Sequence, residues 1–159
     1  MSTDIIKDVL STCKTIAVVG LSREPEKDSC QVAKYLQKHG YRIVPVNPYA
    51  HEILGEKSYK SLLDIPAEIQ KEIDMVDVFR PAKDVPPIVK QAIQLRKKHG
   101  KPIAFWMQLG IVNEKASATA QKAGLTVIMD KCLIQGAQKA IQEPFLKRYR
   151  QAIAMLWWL

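Results

Sequence analysis

The sequence has few of the residues needed for covalent cross-links, metal sites or membrane spans. Its 159 residues include three cysteines, which are far apart and form no Cys-x-x-Cys pair. This pattern argues against a disulfide framework or a zinc site and is typical of a reducing compartment. No apolar run approaches the roughly 20 residues that a bilayer-spanning helix needs, and the polar, acidic start does not resemble a secretory signal. We therefore expect a cytoplasmic protein without a membrane span.

Groups that carry catalysis are also scarce. His39 and His99 each directly precede a glycine at the predicted end of a helix, and His51 lies in a predicted loop. A histidine at a helix end compensates the helix dipole more often than it acts as a base. The chain has no Ser/His/acid set, no His-Glu-x-x-His and no Gly-Lys-Ser/Thr phosphate loop. The sequence therefore predicts no catalytic residue and no metal ion.

Basic residues, by contrast, are in excess. Lysine and arginine number 24 against 16 acidic residues, which gives a net charge of +8. Hydrophobic residues make up 47% and charged residues 25%, the balance of an ordinary globular protein. The charge favours a polyanionic partner, whether nucleic acid, an acidic membrane surface or a phosphorylated cofactor, but it also fits a basic solvated surface.

Short apolar runs alternate with longer amphipathic segments along the chain. The runs are rich in β-branched or aromatic residues and apolar on both faces, as strands of a covered parallel sheet are. We predict five strands, at Thr15–Gly20, Arg42–Val46, Met75–Phe79, Pro102–Met107 and Leu125–Met129. We predict helices at Ser29–His39, Val85–His99 and Asn113–Ala123, a shorter one at Ser58–Asp64, and others at the two ends. This alternation predicts a single α/β domain with a doubly wound, Rossmann-like parallel sheet.

In such a sheet the ligand lies beyond the carboxyl ends of the strands, so the loops there carry the functional prediction. Gly20 after the first strand allows a sharp turn, and the Ser22 hydroxyl can hold a phosphate near a helix N-terminus, with Arg23 beside it. The loop is Gly-x-Ser rather than Gly-x-Gly-x-x-Gly, and Ser22 as a simple cap is an equally good interpretation. Asn47 follows the second strand, where NAD-binding domains usually carry an acid.

Other strand ends add a cation, a glycine and a thiol. Arg80 follows the third strand and can bind a phosphate through two parallel hydrogen bonds. Leu109 and Gly110 follow the fourth strand. Cys132 follows the fifth, where a ligand thiol could approach, although a lone cysteine is more often a small buried apolar residue.

Taken in order, these loops resemble a known domain. The similarity covers about residues 10–135 and rests on the segments Ile16–Ser22, Val44–Pro48, Asp74–Arg80, Gln108–Gly110 and Met129–Cys132. They are similar to the CoA-binding domain of the succinyl-CoA synthetase α chain, and most similar to stand-alone bacterial and archaeal CoA-binding proteins. In those relatives the last cysteine tends to be followed by proline, whereas Leu133 stands there in this chain.

The resemblance implies coenzyme A as the cofactor and assigns its binding residues. The first loop would hold the pyrophosphate, the second strand end the adenosine, the third the cofactor path and the fourth the pantetheine. In that order, the implied residues are Gly20, Leu21, Ser22 and Arg23; Asn47 and Pro48 with Lys57; Phe79 and Arg80; and Leu109 and Gly110. The synthetase's phosphorylated histidine belongs to a second domain that is missing here, so ligase activity is not implied.

The leading hypothesis is a non-catalytic module, within residues 1–135, that binds CoA or a short acyl-CoA. The alternative is an NAD(P)-dependent oxidoreductase on the same fold, against which the neutral Asn47 and the missing third glycine count. A third possibility, a nucleic-acid binder, rests on the net charge and on basic stretches that suit solvated helix faces better. We therefore expect no nucleic-acid partner.

Residues 136–159 extend beyond the matched region. Pro144 suits a first helical turn, and Phe145, Tyr149, Ile153 and Leu156 recur at helical spacing. A tail this apolar must be covered by its own domain or by a partner. The sequence predicts a C-terminal helix that makes the protein a homo-oligomer or docks it on another protein.

Overall fold

The computed structural model describes residues 3–139, in which helices and strands alternate. In chain order the elements are α1 (Thr3–Thr12), β1 (Thr15–Val19), α2 (Asp28–Lys38), β2 (Arg42–Val46), β3 (Glu52–Ile53), β4 (Glu56–Lys57), α3 (Ala67–Gln70), β5 (Met75–Val78), α4 (Val85–His99), β6 (Ala104–Met107), α5 (Glu114–Lys122) and β7 (Thr126–Ile128). Residues 133–139 are again helical. The helix predicted from residue 143 onwards lies outside the described residues.

The main sheet has five parallel strands in the order β2-β1-β5-β6-β7. The predicted α/β, Rossmann-like fold is therefore confirmed. Successive strands are added on one side of β1 and then on the other, so the strand order reverses between β1 and β5. Loops that leave the carboxyl ends of these two strands diverge, and the crevice between them is where ligands bind in open parallel sheets.

The sheet is buried on both faces, which explains the uninterrupted apolar runs of its strands. On one face α1, α2 and residues 133–137 pack over a core that includes Leu10, Leu36 and Trp106. On the other face α4 and α5 cover a core that includes Leu95 and Phe105. The crevice at the carboxyl ends of the strands is therefore flanked by different helices on the two faces of the sheet.

The segment after β2 departs from the prediction of a helix over Ser58–Asp64, which is wrong. Tyr59 is extended and bridges to Val46 of β2. Its amide donates to the Pro45 carbonyl at 3.1 Å, and the Asn47 amide donates to its carbonyl at 2.9 Å. These two hydrogen bonds hold the segment along the outer edge of β2. The helical part of the predicted segment is a single 3-10 turn at Leu62–Asp64. The antiparallel pair of β3 and β4, which precedes it, was not predicted from the sequence.

No helix within residues 3–139 is long and apolar enough to cross a membrane. The same residues contain no cluster of three or more histidine, cysteine or acidic side chains that could hold a metal ion.

Candidate functional site

A cavity of about 420 Å³, here called cavity A, opens at the carboxyl ends of β1, β2 and β5. It lies on the α4 face of the sheet, at the point where the strand order reverses. Predicted site residues from three separate loops meet there. They are Gly20, Ser22, Asn47, Pro48 and Arg80.

Position 20 requires a glycine, both because of its backbone conformation and because of the residue packed against it. Its φ of +86° lies in the left-handed region, and a Cβ at this position would be 2.9 Å from the Phe79 carbonyl oxygen. The loop after β1 therefore touches the loop after β5 at Gly20. Leu21, the next residue, turns its side chain away from the crevice into the α2-side core, where it is fully buried. Only the backbone of Leu21 remains available for the predicted contact with pyrophosphate.

Two serine hydroxyls fold the rest of this loop onto the start of α2. The Ser22 hydroxyl accepts a hydrogen bond from the Glu24 amide at 3.0 Å, and the Ser29 hydroxyl accepts one from the Ser22 amide at 2.9 Å. Ser22 therefore caps the loop, as the alternative interpretation had it, and its hydroxyl hydrogen is still a donor. Arg23 is exposed and does not line cavity A.

Asn47 connects the loops after β1 and β2. Its side-chain amide donates to the Leu21 carbonyl at 2.9 Å, and its side-chain oxygen accepts from the Tyr49 amide at 2.8 Å. Both ends of the side chain are therefore engaged within the protein. Pro48 completes this wall of cavity A.

The cations near cavity A are Arg80 and Lys60. Arg80 is half exposed and pairs with Asp84, with 2.9 Å between Nη2 and Oδ2. Lys60 lines cavity A, although the sequence analysis did not identify it. The predicted Lys57 lies instead on β4, its Nζ 5.6 Å from the centre of the Tyr59 ring, and does not line the cavity. Lys60 was missed because its position depends on the bridge between Tyr59 and β2, for which the sequence has no signal.

A second cavity, cavity B, has a volume of about 310 Å³ and lies on the α2 face of the same sheet edge. Phe79, Leu109 and Cys132 line it, together with Val32 of α2 and the half-buried Ile134. Leu109 is 68% exposed. Gly110 does not line cavity B, and its amide donates to the Asp130 side chain at 2.7 Å.

A buried polar network lies next to cavity B. Asp77 is fully buried, and its Oδ1 accepts a hydrogen bond from the Gln108 side chain at 2.7 Å. Gln108 in turn accepts one from the Leu133 amide at 3.3 Å. Burial raises the pKa of Asp77 to about 7, against the opposing effect of its hydrogen bonds from Gln108 and the Val78 amide. The Asp77 Oδ2 atom has no hydrogen-bond partner among residues 3–139.

Cavities A and B lie on opposite faces of the sheet and approach each other at the carboxyl ends of its strands. Arg80 lines cavity A and Phe79 lines cavity B, so the two faces meet at consecutive residues. Gly20 contacts both of them at this crossing. The arrangement suits an elongated ligand with a charged end on the α4 face and a less polar end on the α2 face.

Comparison with known proteins identifies the family. A family model described as CoA binding domain matches residues 14–136, and the chain belongs to that family. It is 42% identical over 128 residues to the uncharacterized protein YneT of Bacillus subtilis, which covers 80% of this chain and 88% of YneT. It is 37% identical over 132 residues to the ADP-forming acetate–CoA ligase I subunit alpha of Pyrococcus furiosus, of which it spans 28%.

Solved structures of similar size share the fold. A hypothetical protein from Pyrococcus horikoshii OT3 superposes with a TM-score of 0.79 at 37% identity, over 89% of this chain and 93% of the other. A Thermus thermophilus protein superposes with a TM-score of 0.78 at 32% identity, over 88% and 99% of the two chains. The crevice described above therefore belongs to a fold shared along nearly the whole described chain.

Proposed function

We propose that the protein binds coenzyme A, or a short acyl-CoA, as a non-catalytic module. The observation that carries the proposal is the crossing at Gly20, Phe79 and Arg80, where cavities on the two faces of the sheet reach consecutive residues at the switch point. CoA is an elongated ligand with a phosphorylated nucleotide at one end and an uncharged thiol arm at the other. Membership of the CoA-binding domain family supports the same ligand.

In this proposal the nucleotide end occupies cavity A. Its pyrophosphate lies across the loop from Gly20 to Arg23, and its adenosine lies against Asn47 and Pro48. Lys60 takes the phosphate-binding part that the sequence analysis gave to Lys57, because Lys60 lines cavity A and Lys57 does not. Arg80 exchanges its exposed pairing with Asp84 for the ligand phosphates, which bind a guanidinium through charge-assisted hydrogen bonds.

The thiol arm crosses the sheet edge beside Phe79 and ends near Leu109 in cavity B. This placement gives a reason for the exposure of Leu109, because a bound arm would cover it. Gly110 contributes through the turn that presents Leu109, since its amide is engaged by Asp130.

NAD binding is the weaker alternative. A site for NAD usually has an acid at the end of β2 that accepts hydrogen bonds from the ribose diol, and this chain has Asn47 there. The two ends of the Asn47 side chain are already bound to Leu21 and Tyr49. The polar groups for that contact are therefore missing or engaged.

Calorimetric titration of the full chain with CoA, NAD and NADP tests the proposal. We expect low-micromolar binding of CoA and much weaker binding of both dinucleotides. Arg80→Ala and Ser22→Ala should each weaken CoA binding by about 1–3 kcal/mol, the usual loss of a hydrogen bond to a charged group. NAD binding as tight as CoA binding would contradict the proposal.

Lys60→Ala and Lys57→Ala form a matched pair that checks the assignment within cavity A. Each substitution removes one positive charge, and both lysines are exposed and lie three residues apart in the chain. Only Lys60→Ala should weaken CoA binding, because only Lys60 lines the cavity. An equal loss in both variants would mean that general positive charge, and not Lys60, attracts the ligand.

A further inference from the structure

We propose that Tyr49 holds the base of the bound nucleotide by stacking against it, and that this contact distinguishes CoA from ligands that lack the nucleotide. The inference rests on the proposed function, because it requires the nucleotide end of CoA to lie in cavity A. Tyr49 was not among the site residues predicted from the sequence.

Tyr49 is an exposed aromatic residue at the rim of cavity A. It is 86% exposed, more than any other large hydrophobic residue within residues 3–139. Exposure alone needs no explanation, because much of any protein surface is apolar. Tyr49 differs from the other exposed apolar residues in its position, since it lines cavity A directly after Asn47 and Pro48. The cavity therefore has a large flat ring at its solvent-facing side.

The backbone that carries Tyr49 is fixed before any ligand binds. The Asn47 side-chain oxygen accepts a hydrogen bond from the Tyr49 amide at 2.8 Å, and the ring of Pro48 between them restricts the turn. Asn47 is held in turn, because its amide donates to the Tyr59 carbonyl at 2.9 Å and its carbonyl accepts from the Ser58 hydroxyl at 3.2 Å. A tyrosine side chain has only two torsion angles to fix. The contact therefore costs little conformational entropy.

Cavity A combines cations with an apolar wall, as a nucleotide site needs. Arg80 and Lys60 supply positive charge, and Val46 and Ile88 supply apolar surface. Phosphates bind cations through charge-assisted hydrogen bonds, whereas a base binds best through its flat face to an aromatic ring. Among the described residues that line cavity A, Tyr49 is the aromatic one. It is therefore the side chain suited to stack on the base.

Stacking recognises that a base is present and depends little on which base it is. Every base has a flat π face, so an aromatic side chain accepts them with little discrimination. The Asn47 side chain, the polar group next to Tyr49 in this turn, is engaged at both ends by Leu21 and Tyr49. We therefore expect Tyr49 to increase the affinity for the nucleotide end of CoA without affecting the thiol arm.

Calorimetric titration of Tyr49→Ala and Tyr49→Phe in the full chain with CoA tests the inference. Tyr49→Ala should bind CoA at least about tenfold more weakly, whereas Tyr49→Phe should stay within about threefold of the parent, because phenylalanine keeps the ring. Both variants should fold normally, because the side chain is exposed and the hydrogen bond to Asn47 comes from the backbone. Leu63→Ala is the matched control. Leu63 is also exposed but does not line cavity A, so its loss should leave the CoA affinity unchanged.

Two fragments of CoA separate stacking from any other effect of the substitution. Its adenosine bisphosphate part carries the base, and phosphopantetheine lacks it. Tyr49→Ala should weaken binding of the first fragment about as much as binding of CoA, by at least about tenfold, and should leave binding of the second unchanged.

The outcomes distinguish this inference from the proposed function. Unchanged CoA affinity in Tyr49→Ala, or an equal loss for the two fragments, overturns the inference and leaves the proposed function standing. A loss in Tyr49→Phe as large as that in Tyr49→Ala also overturns the inference, because the ring is then not the group that binds. Failure of the parent chain to bind CoA overturns both.

Discussion

Replacing Asp77 by asparagine should change how stability depends on pH. The carboxyl group is fully buried, and burial raises its pKa from 3.8 to about 7. In the unfolded chain an aspartate titrates near its ordinary value of about 3.9. Between these two values the folded protein binds a proton that the unfolded chain does not. The wild-type protein should therefore lose stability as the pH rises from about 4 to about 7.

The size of the loss follows from the same two pKa values. They differ by about three pH units, and each unit corresponds to about 1.4 kcal/mol, which sets an upper limit of about 4 kcal/mol. Asparagine cannot ionise and so escapes this loss. At about pH 4.5 the variant should be the less stable of the two proteins. Its side-chain amide places two N–H donors at the Oδ2 position, where a protonated carboxyl places one O–H, and each unsatisfied buried group costs about 1–3 kcal/mol.

Urea unfolding at a series of pH values, followed by circular dichroism, measures both proteins. Taking the difference in unfolding free energy at each pH cancels the contributions of groups that both proteins share. We expect the difference to move in favour of Asp77→Asn by about 2–4 kcal/mol between low and neutral pH. A difference that does not change with pH would refute the argument that Asp77 is neutral in the folded protein.

Asp74→Asn is a control with the opposite sign. Burial alone would raise the pKa of Asp74, but hydrogen bonds from Lys101 at 2.7 Å and from the Lys14 and Thr15 amides hold it below its ordinary value. Its contribution to stability is present above the unfolded pKa and is lost as the pH falls through the folded one. The wild-type advantage over Asp74→Asn should therefore shrink in acid, in the direction opposite to that of Asp77→Asn.

Two further predictions concern the crossing and the C-terminal tail. Gly20→Ala should lower the unfolding free energy by about 1–3 kcal/mol in urea titrations. Gly110→Ala should cost less, because Gly110 has a similar φ of +85° but no neighbour within 4 Å of an added Cβ. Equal losses in the two variants would show that the contact with Phe79 is unimportant. Truncation after residue 142 should convert a dimer or larger oligomer into a monomer with unchanged CoA affinity, as measured by sedimentation; a full chain that stays monomeric at high micromolar concentration would contradict this.

Much of the fold was predictable because its signals are local. The strand at Arg42–Val46 and the helix at Val85–His99 have the predicted bounds, and Asn113 caps α5 by accepting a hydrogen bond from the Ala116 amide at 2.9 Å. A run of apolar residues or a capping side chain acts within a few residues, so the sequence alone reveals it. The order of the strands was not predicted, because alternating helices and strands are compatible with more than one doubly wound order.

The details of the site depended on contacts between distant residues. The approach of Gly20 to Phe79 joins residues that are far apart in the sequence, and so does the hydrogen bond from Asn47 to Leu21. The strand that contains Asp77 is predictable from its apolar residues, but the hydrogen bond to the Asp77 carboxylate comes from Gln108, which is distant in the sequence. Sequence patterns identify which loops meet, but they do not specify which side chain fills a cavity.

The outer edge of β2 has a consequence for how copies of this chain can associate. Pro45 has no amide hydrogen to offer to an added strand, and its carbonyl is taken by the Tyr59 amide. The Tyr59 carbonyl binds the Asn47 amide at the same edge. The carboxyl-terminal half of β2 is therefore closed as a template for another chain, as protected edge strands often are. A second copy therefore cannot add a strand along this half of β2, the half that leads into the crevice, so assembly through that backbone does not compete with ligand binding.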